Sequence, residues 1–576
     1  MTKREVVDTL EEIAVLLELA GENAFKTRAY ANAARTLQGL DRDLAELTAS
    51  GELRALKGIG PALAEKIGTL VATGRLPYLE ELRARVPPGL LELLRVPGLG
   101  PKRVREVHAK LGIASLAELE YAAESRALQE LEGFGEKLQD KILEGIAALK
   151  RHADRFLLSD ALAMGEEILA AVAALPGARR AAIAGSLRRR CETVGNVDLV
   201  AATDDAPALL AAFAALPAVA EVLAPGPAGG SEAAVRLEGG LRVRLRAVPE
   251  RDFAGVLRYL TGSREHDEAL RAHAAGLGLE LDERGLRRGS APVAAADEDA
   301  IFAALGLAAI PPELREGRGE IAAAAAGALP RLLEPGDLRG VLHVHSTYSD
   351  GVDTVRGMAL AARARGYRYL GVCDHSQSAR YAGGMLAADV RRQHEEIDRL
   401  NEELGDFRVL KGVECDILAD GALDYPAEVL ASFELVVGSV HSRFGLGEAE
   451  MTQRLLRAVA NPFLDVLGHP TGRLLLGRAA YALDLGAVCA AAAERGVAVE
   501  INANPHRLDL DWREVRGFQA RGGWIGIHPD AHRTEGLDDV RFGVMAARKG
   551  WATRDRVLNA LSLEELLAWL RARRAR

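Results

Sequence analysis

Apolar residues recur at helical spacing through the first third of the chain, as in VVDTLEEIAVLLEL, and predict a run of helices. From Val341 onward the pattern changes to short apolar runs separated by helical stretches. These runs are VLHVH (341–345), YLGVCDH (369–375), VLKGVE (409–414), LVVGSVH (435–441), DVLGH (465–469), VAVEIN (497–502) and WIGIHPDAH (524–532). Alternating strands and helices predict a parallel αβ barrel, a fold that keeps its chemistry at the C-terminal strand ends. Between the two regions lie strands, turns and helices of a mixed α+β segment.

Within the helical third one form occurs three times. LRALKGIGPALAEKI (Leu53–Ile67), LLRVPGLGPKRVREV (Leu93–Val107) and LQELEGFGEKLQDKI (Leu128–Ile142) each read as helix, hydrophobic-Gly-x-Gly, helix. Gly58 and Gly60, Gly98 and Gly100, and Gly133 and Gly135 permit a tight turn and close backbone approach. The second helix starts at once, so its free N-terminal amides can take a phosphate. This is the helix-hairpin-helix form of sequence-independent DNA backbone binding. Lys57, Lys102, Arg103 and Lys137 stand beside the loops.

The last region carries ligand-type residues at successive predicted strand ends: His343, His345, Asp350, His375, Glu414, His441, His469, Asp530 and His532. On a regular strand His343 and His345 point to one face. His394, His506 and His528 fall outside this series. Clustered imidazole and carboxylate suit divalent ions, with Zn²⁺, Mn²⁺ and Fe²⁺ all acceptable.

Composition narrows the classes. At 576 residues, half of them hydrophobic, about three to five domains are expected. No apolar run is long enough to span a bilayer, and the charged, amphipathic N-terminus is unlike a secretory signal. Cys191, Cys373, Cys415 and Cys489 are scattered, which fits a reducing cytoplasm. The net charge of −9 neither advertises nor excludes nucleic acid, because backbone amides also hold phosphates. The closing RARRAR is read as a frayed helix end or as added electrostatic affinity for DNA.

FKTRAYANAARTL (Phe25–Leu37) and GIGPALAEKI (Gly58–Ile67) resemble the small N-terminal domain of the family X DNA polymerases. The resemblance puts Lys66 at the family's Schiff-base nucleophile for removing deoxyribose phosphate, with Lys26 and Tyr30 in support. The alternative is a solvated helix lysine or a phosphate contact. AAIAGSLRRRCETVGNVDLVAAT (Ala181–Thr203) resembles the same family's nucleotidyltransferase signature. There Gly185, Ser186 and Arg189 would hold triphosphate oxygens, and three aspartates would hold two Mg²⁺ ions. This chain departs at two of those three positions: Asn196 and Arg244 stand where carboxylates belong, leaving Asp198. Two units of charge beside divalent ions, at about 4 kcal/mol per unit near 4 Å, imply weak Mg²⁺ binding and synthesis impaired or lost. The counter-reading lets Asp204 or Asp205 take over, giving an active gap-filling polymerase that uses dNTPs.

HVHSTYSDG, CDHS, VECD, SVHS, GHP and DAH are similar to the successive motifs of the PHP phosphoesterases. That resemblance implies a distorted seven-stranded (βα)7 barrel with three metals, Mn²⁺ or Zn²⁺. His343, His345, Glu414 and Asp530 would bind the first, and Glu414, His441 and His469 the second. Asp350, His375 and His532 would hold the third. Arg443, Arg473 and Arg380 lie near the motifs and are read as phosphate or DNA contacts or as surface salt bridges.

The combined architecture resembles that of bacterial family X repair enzymes. The expected segments are a lyase-like helical domain at 1–80, a fingers-like domain at 81–152 and a degenerate palm at 153–248. A thumb at 249–310, a connector at 311–337 and the phosphoesterase domain at 338–576 follow. The resemblance implies a monomeric DNA repair enzyme that acts as a 3′→5′ exonuclease on gapped or damaged DNA. The alternatives are a DNA-end scaffold without catalysis and a small-molecule phosphoesterase.

Overall fold

The computed structural model describes residues 3–38, 44–56, 58–131, 133–152, 155–224 and 230–575, so Lys57 lies outside the described residues. The chain divides into two compact units, Met1–Ala153 and Asp154–Arg576.

The first unit is helical, with one apolar core drawn from all its helices. In the three glycine loops the residue between the glycines is the plug: Ile59, Leu99 and Phe134 are buried. Gly58, Gly98 and Gly133 have φ of 89°, 95° and 83°, which β-carbons resist. Gly60 and Gly100 have ordinary negative φ and cap helices that begin with Pro61 and Pro101. A β-carbon on Gly60, Gly100 or Gly135 would meet no described atom within 4 Å. The fold itself therefore does not demand glycine there, and the space above those amides is open.

The second unit begins with a mixed five-stranded sheet. Its strands are β1 (Arg180–Ala184), β2 (Asn196–Ala202), β3 (Val219–Ala224), β4 (Glu232–Leu237) and β5 (Arg242–Val248), in the order β1-β2-β5-β4-β3. β2 and β5 are parallel, with Asp198 opposite Arg244. Residues 311–337 contain one α-helix, Glu320–Ala325, between two single 3-10 turns, and pack through the buried Leu314, Leu332 and Leu333.

Seven parallel strands then follow in sequence order: β6 (Gly340–Val344), β7 (Tyr369–Val372), β8 (Arg408–Asp416), β9 (Leu435–Ser439), β10 (Val466–Leu467), β11 (Ala498–Asn502) and β12 (Ile525–His528). A parallel bridge from Val344 to Ala531 joins the last strand end to the first, leaving a nearly closed barrel. The strands are buried on both faces, as parallel strands covered by helices must be. The five-stranded sheet and the barrel share apolar core. Leu508 and Phe542 of the barrel are buried in the same cluster as Leu199, Val235 and Leu245. Lys549, buried at the end of helix Val540–Lys549, pairs with Glu316 and donates to the Arg189 carbonyl at 3.0 Å.

The C-terminal arginines differ from the expectation. Arg573 donates to the buried Asp465 at 2.7 Å, and Arg574 binds the same carboxylate and the Phe433 carbonyl. They are structural anchors, because a buried Asp465 needs cationic partners. Asp465→Ala leaves that cationic cluster unpaired and is expected to cost roughly 3–5 kcal/mol. A clear fall in the thermal midpoint of the second unit, with little dependence on salt, is the measurement that checks it.

Candidate metal centre

Glu414 sits near the end of β8, 1 % exposed, and meets five imidazoles. Its Oε1 lies 3.4 Å from His343 Nε2, 3.3 Å from His441 Nε2 and 3.0 Å from His469 Nε2. Its Oε2 lies 3.0 Å from His375 Nδ1 and 3.6 Å from His345 Nε2. Asp530, past the end of β12, approaches His345 Nε2 at 3.1 Å and His343 Nε2 at 3.7 Å. Asp350 faces His532 Nε2 at 3.4 Å, His375 Nε2 at 3.6 Å and His345 Nδ1 at 3.7 Å. All nine residues singled out in the sequence therefore meet at one end of the barrel.

Three imidazoles are held by an oxygen acceptor at Nδ1, which turns Nε2 inward. His343 Nδ1 meets Glu500 at 2.6 Å, His441 Nδ1 meets Asp416 at 2.7 Å, and His532 Nδ1 meets the Asp530 carbonyl at 2.9 Å. This is how metal-ligating histidines are commonly oriented. His343 Nε2 and His345 Nδ1 are buried and lack a hydrogen-bond partner in the protein. Four groups of donor atoms lie within 4.8 Å of one another: His345, Asp350, His375 and His532; His343, His345 and Asp530; His375, Glu414 and His441; and His343, Glu500 and His528. Unpaired imidazole nitrogens facing buried carboxylates form a donor set that fits divalent cations.

Charge is tightly coupled here. Burial alone would push His375 down, but the Glu414 and Asp350 carboxylates carry it up to about 11. His441 is likewise opposed by burial and raised to about 9 by Glu414 and Asp416. Burial, with His532 and His375 nearby, pushes His345 down to about 4. Burial disfavours a charged Glu414, yet the surrounding imidazoles hold its carboxyl well below the usual range. The carboxylates thus demand positive charge, from protons or from metal ions.

The strand-alternation argument for His343 and His345 needs correction. Register shifts between Val341 and Val344, the strand ends at Val344, and His343 has φ of 58°. The two rings still lie 5.4 Å apart, through a bulge and not through regular pleating. Asp530, at φ 53°, is also left-handed, and such residues store roughly 1–3 kcal/mol of strain each at functional sites. His528 also needs correction: it ends β12, is buried, and its Nδ1 lies 2.9 Å from Glu500.

Sequence reasoning missed Glu500, Asp416 and Asp374. Glu500 was detectable as an acid in a mostly apolar strand, and Asp416 as an acid two residues after Glu414 on the same face. Asp374 accepts from Ser346 N at 2.7 Å and Ser349 Oγ at 2.6 Å, which fixes the loop carrying Asp350.

Among the arginines, Arg443 and Arg380 are exposed, and Arg443 has φ of 54°. Arg473 is consumed structurally, donating to the Arg507 carbonyl at 3.0 Å and to Asp511 at 2.5 Å. Tyr381 is 72 % exposed, with its ring centroid 6.2 Å from His375 and 6.5 Å from His441.

In the five-stranded sheet Asp198 Oδ1 accepts from Arg244 Nε at 2.8 Å, Arg244 Nη2 at 2.7 Å and Asn196 Nδ2 at 2.9 Å. Gly185, at φ 65°, opens the short helix Gly185–Arg188, and a β-carbon there would meet Asp198 Oδ2 at 2.4 Å. Ser186, beside it, is half-buried, and its backbone carbonyl accepts from Cys191 N at 3.0 Å. Arg189 is engaged by Glu316 at 2.9 Å and the Thr261 carbonyl at 2.5 Å. Asp205 caps the helix Ala206–Ala214, and Asp204 pairs with Arg179, so neither joins Asp198.

In the first unit Lys66 Nζ donates to Tyr30 OH at 2.6 Å and lies 3.6 Å from the Tyr78 ring centre. Lys26 approaches the same ring at 5.3 Å. Burial, then the nearby Lys26 charge, lowers the Lys66 pKa. Tyr78 was not singled out in the sequence. Lys102, Gly133 and Gly135 are exposed, and Arg103 donates to the Gly98 carbonyl at 2.8 Å.

A metal-dependent phosphoesterase barrel that follows helix-hairpin-helix domains and a polymerase-type core along the chain is the class that this fold and site define. Residues 1–76 match the helix-hairpin-helix domain model, 90–148 the SAM-like helix-hairpin-helix tandem, 256–316 the DNA polymerase beta thumb and 342–504 the PHP domain. The chain is 38% identical to the DNA polymerase/3'-5' exonuclease PolX of Bacillus subtilis over 574 residues, covering 99% of this chain and 100% of that one. It belongs to the PolX family. The barrel alone is similar to smaller proteins, among them probable phosphatases. One from Syntrophotalea carbinolica is 31% identical over 28% of this chain and 64% of its own. One from Edwardsiella ictaluri is 28% identical over 38% of this chain and 89% of its own.

Glu500→Gln replaces the charged acceptor that orients His343 by a neutral amide and is expected to weaken metal binding about 10- to 100-fold. Metal content after dialysis against graded chelator, measured by elemental analysis, checks this without reference to activity.

Proposed function

We propose that this chain is a 3′→5′ exodeoxyribonuclease whose phosphodiester hydrolysis takes place in the barrel. The carrying observation is the inward turn of three imidazoles held at Nδ1, His343 and His441 towards Glu414 and His532 towards Asp350. His343, His345, Glu414 and Asp530 would hold one ion, Glu414, His441 and His469 a second, and Asp350, His375 and His532 a third. Mn²⁺ suits this mixed imidazole and carboxylate set, and Zn²⁺ is the competitor. When bound, such ions lower the pKa of a water and neutralise phosphate charge. The exposed Tyr381 ring beside His375 supports DNA over a small phosphomonoester, since bases stack on such platforms.

The helix-hairpin-helix loops, through Gly58 to Gly60, Gly98 to Lys102 and Gly133 to Gly135, hold DNA backbone, and the chain works in repair of gapped or damaged ends in the cytoplasm. The domain limits are those read from the sequence, with 338–576 as the hydrolytic part. The palm handles DNA without synthesising it, because Arg244 supplies to Asp198 the positive charge that Mg²⁺ would bring. Gly185 and Ser186 leave a turn that could still meet a nucleotide. Arg189 would first have to leave Glu316.

Purified protein with Mn²⁺ is expected to shorten a 5′-labelled primer, with or without dNTPs. His343→Ala is expected to abolish shortening, and unchanged shortening would remove the barrel from the reaction. The Asn196→Asp/Arg244→Asp pair is expected to gain some extension. Normal extension by the wild type would overturn the palm reading, and hydrolysis confined to small phosphomonoesters would favour the phosphatase alternative.

The Lys66, Tyr30 and Tyr78 arrangement favours a second activity, deoxyribose-phosphate removal through a Schiff base, since a lowered amine pKa activates lysine. Borohydride is expected to trap the chain on abasic DNA, and Lys66→Ala to lose the adduct. Lys26→Ala restores a higher Lys66 pKa, so its trapping is expected to fall most near neutral pH.

A further inference from the structure

The arginines singled out in the sequence are either exposed or consumed. A different one, Arg507, reaches the centre. It lies on the turn after β11, fixed by Arg507 N donating to the Asn504 carbonyl at 2.8 Å and Leu508 N to the same carbonyl at 3.1 Å. Arg473 clamps the Arg507 carbonyl from outside. Leu508, the next residue, is 1 % exposed and seated in the core of the five-stranded sheet. The turn is thus rigid on both flanks.

The Arg507 side chain is mostly buried, and its Nε lies 3.7 Å from Asp530 Oδ2. Asp530 Oδ2 also accepts from Asn502 Nδ2 at 3.1 Å, while its Oδ1 faces the histidines. Arg507 Nη1 is buried with no acceptor in the protein. Through Asp530 the guanidinium stands one residue removed from the histidines of the cluster. An unmet, buried, charged donor is costly, and a guanidinium beside a cation-binding cluster is repelled once ions bind. Both penalties vanish when an anion with several acceptor oxygens lies between them, which is the chemistry of a phosphodiester.

We propose that Arg507 is a catalytic residue that grips a non-bridging oxygen of the terminal phosphodiester at the DNA 3′ end. The inference rests on the exonuclease reading above. In the step it serves, a water-derived oxygen adds to phosphorus and the bond from phosphorus to the penultimate 3′ oxygen breaks. That oxygen takes a proton to leave a 3′-hydroxyl, and the terminal nucleotide departs as its 5′-monophosphate. Arg507 holds the phosphate oxygens while their charge grows and then holds the product phosphate.

The test uses the full-length, Mn²⁺-loaded protein and its Arg507→Met and Arg507→Lys variants. Metal content and thermal midpoint are expected to match wild type. Shortening of a 5′-labelled single strand is expected to fall about 10- to 100-fold in kcat/KM for Arg507→Met, the size of a lost charge-assisted hydrogen bond. Inhibition by thymidine 5′-monophosphate is expected to weaken about tenfold or more in parallel, with Arg507→Lys between, since a lysine cannot reproduce the fork. Shortening within about twofold of wild type, together with unchanged thymidine monophosphate inhibition, overturns the proposal. If Arg507→Met fails to fold, calorimetric binding of thymidine monophosphate to Arg507→Lys decides: a weakened affinity supports the anchor and an unchanged one overturns it. Absence of shortening by the wild type would instead overturn the exonuclease reading, while calorimetry on the same variants still judges the anchor.

Discussion

A carboxylate buried among five imidazoles is the constraint on which the barrel's active end depends. Glu414 is fully removed from water, and a charged group there is tolerated only when positive charge surrounds it. The histidines that answer it come from β6, β7, β9 and β10 ends, so the demand of one side chain fixes the relative heights of several strands. Two outer acids, Glu500 and Asp416, then set the tilt of the His343 and His441 rings. Polar networks of this kind specify geometry because a half-satisfied one is worse than an apolar core.

The barrel was legible because its strands alternate with helices and its ligand-type residues sit at strand ends, both local signals. The orienting acids were less so. His343 and Glu500 are 157 residues apart, and nothing near either announces the other. The left-handed bulge at His343 was hidden for the same reason, since tertiary closure through Ala531 imposes it. Arg507 is one arginine among many until the turn behind it is pinned by Arg473 and Leu508. RARRAR misled because composition describes a tail, whereas Asp465, more than a hundred residues upstream, makes two of its arginines internal.

The chain buries carboxylates at two places, and they are satisfied in opposite ways. In the barrel, imidazole nitrogens are left without protein partners and carboxylates outnumber fixed positive charges. In the sheet, Arg244 Nε and Nη2 and Asn196 Nδ2 converge on one Asp198 oxygen. The second arrangement is closed on itself. Burial raises the Asp198 pKa in the first instance, and the guanidinium partly restores the charged form.

Leu508 has a consequence for modularity. The hydrolytic barrel looks separable, and proteins consisting of little more than such a barrel exist among its relatives. In this chain the turn bearing Arg507 continues directly into the neighbouring sheet's core, where Phe542 joins it. Cutting the chain before β6 would strip that apolar wall and loosen the turn. The polymerase-type sheet therefore doubles as masonry for the barrel, and a change to either part is felt by the other.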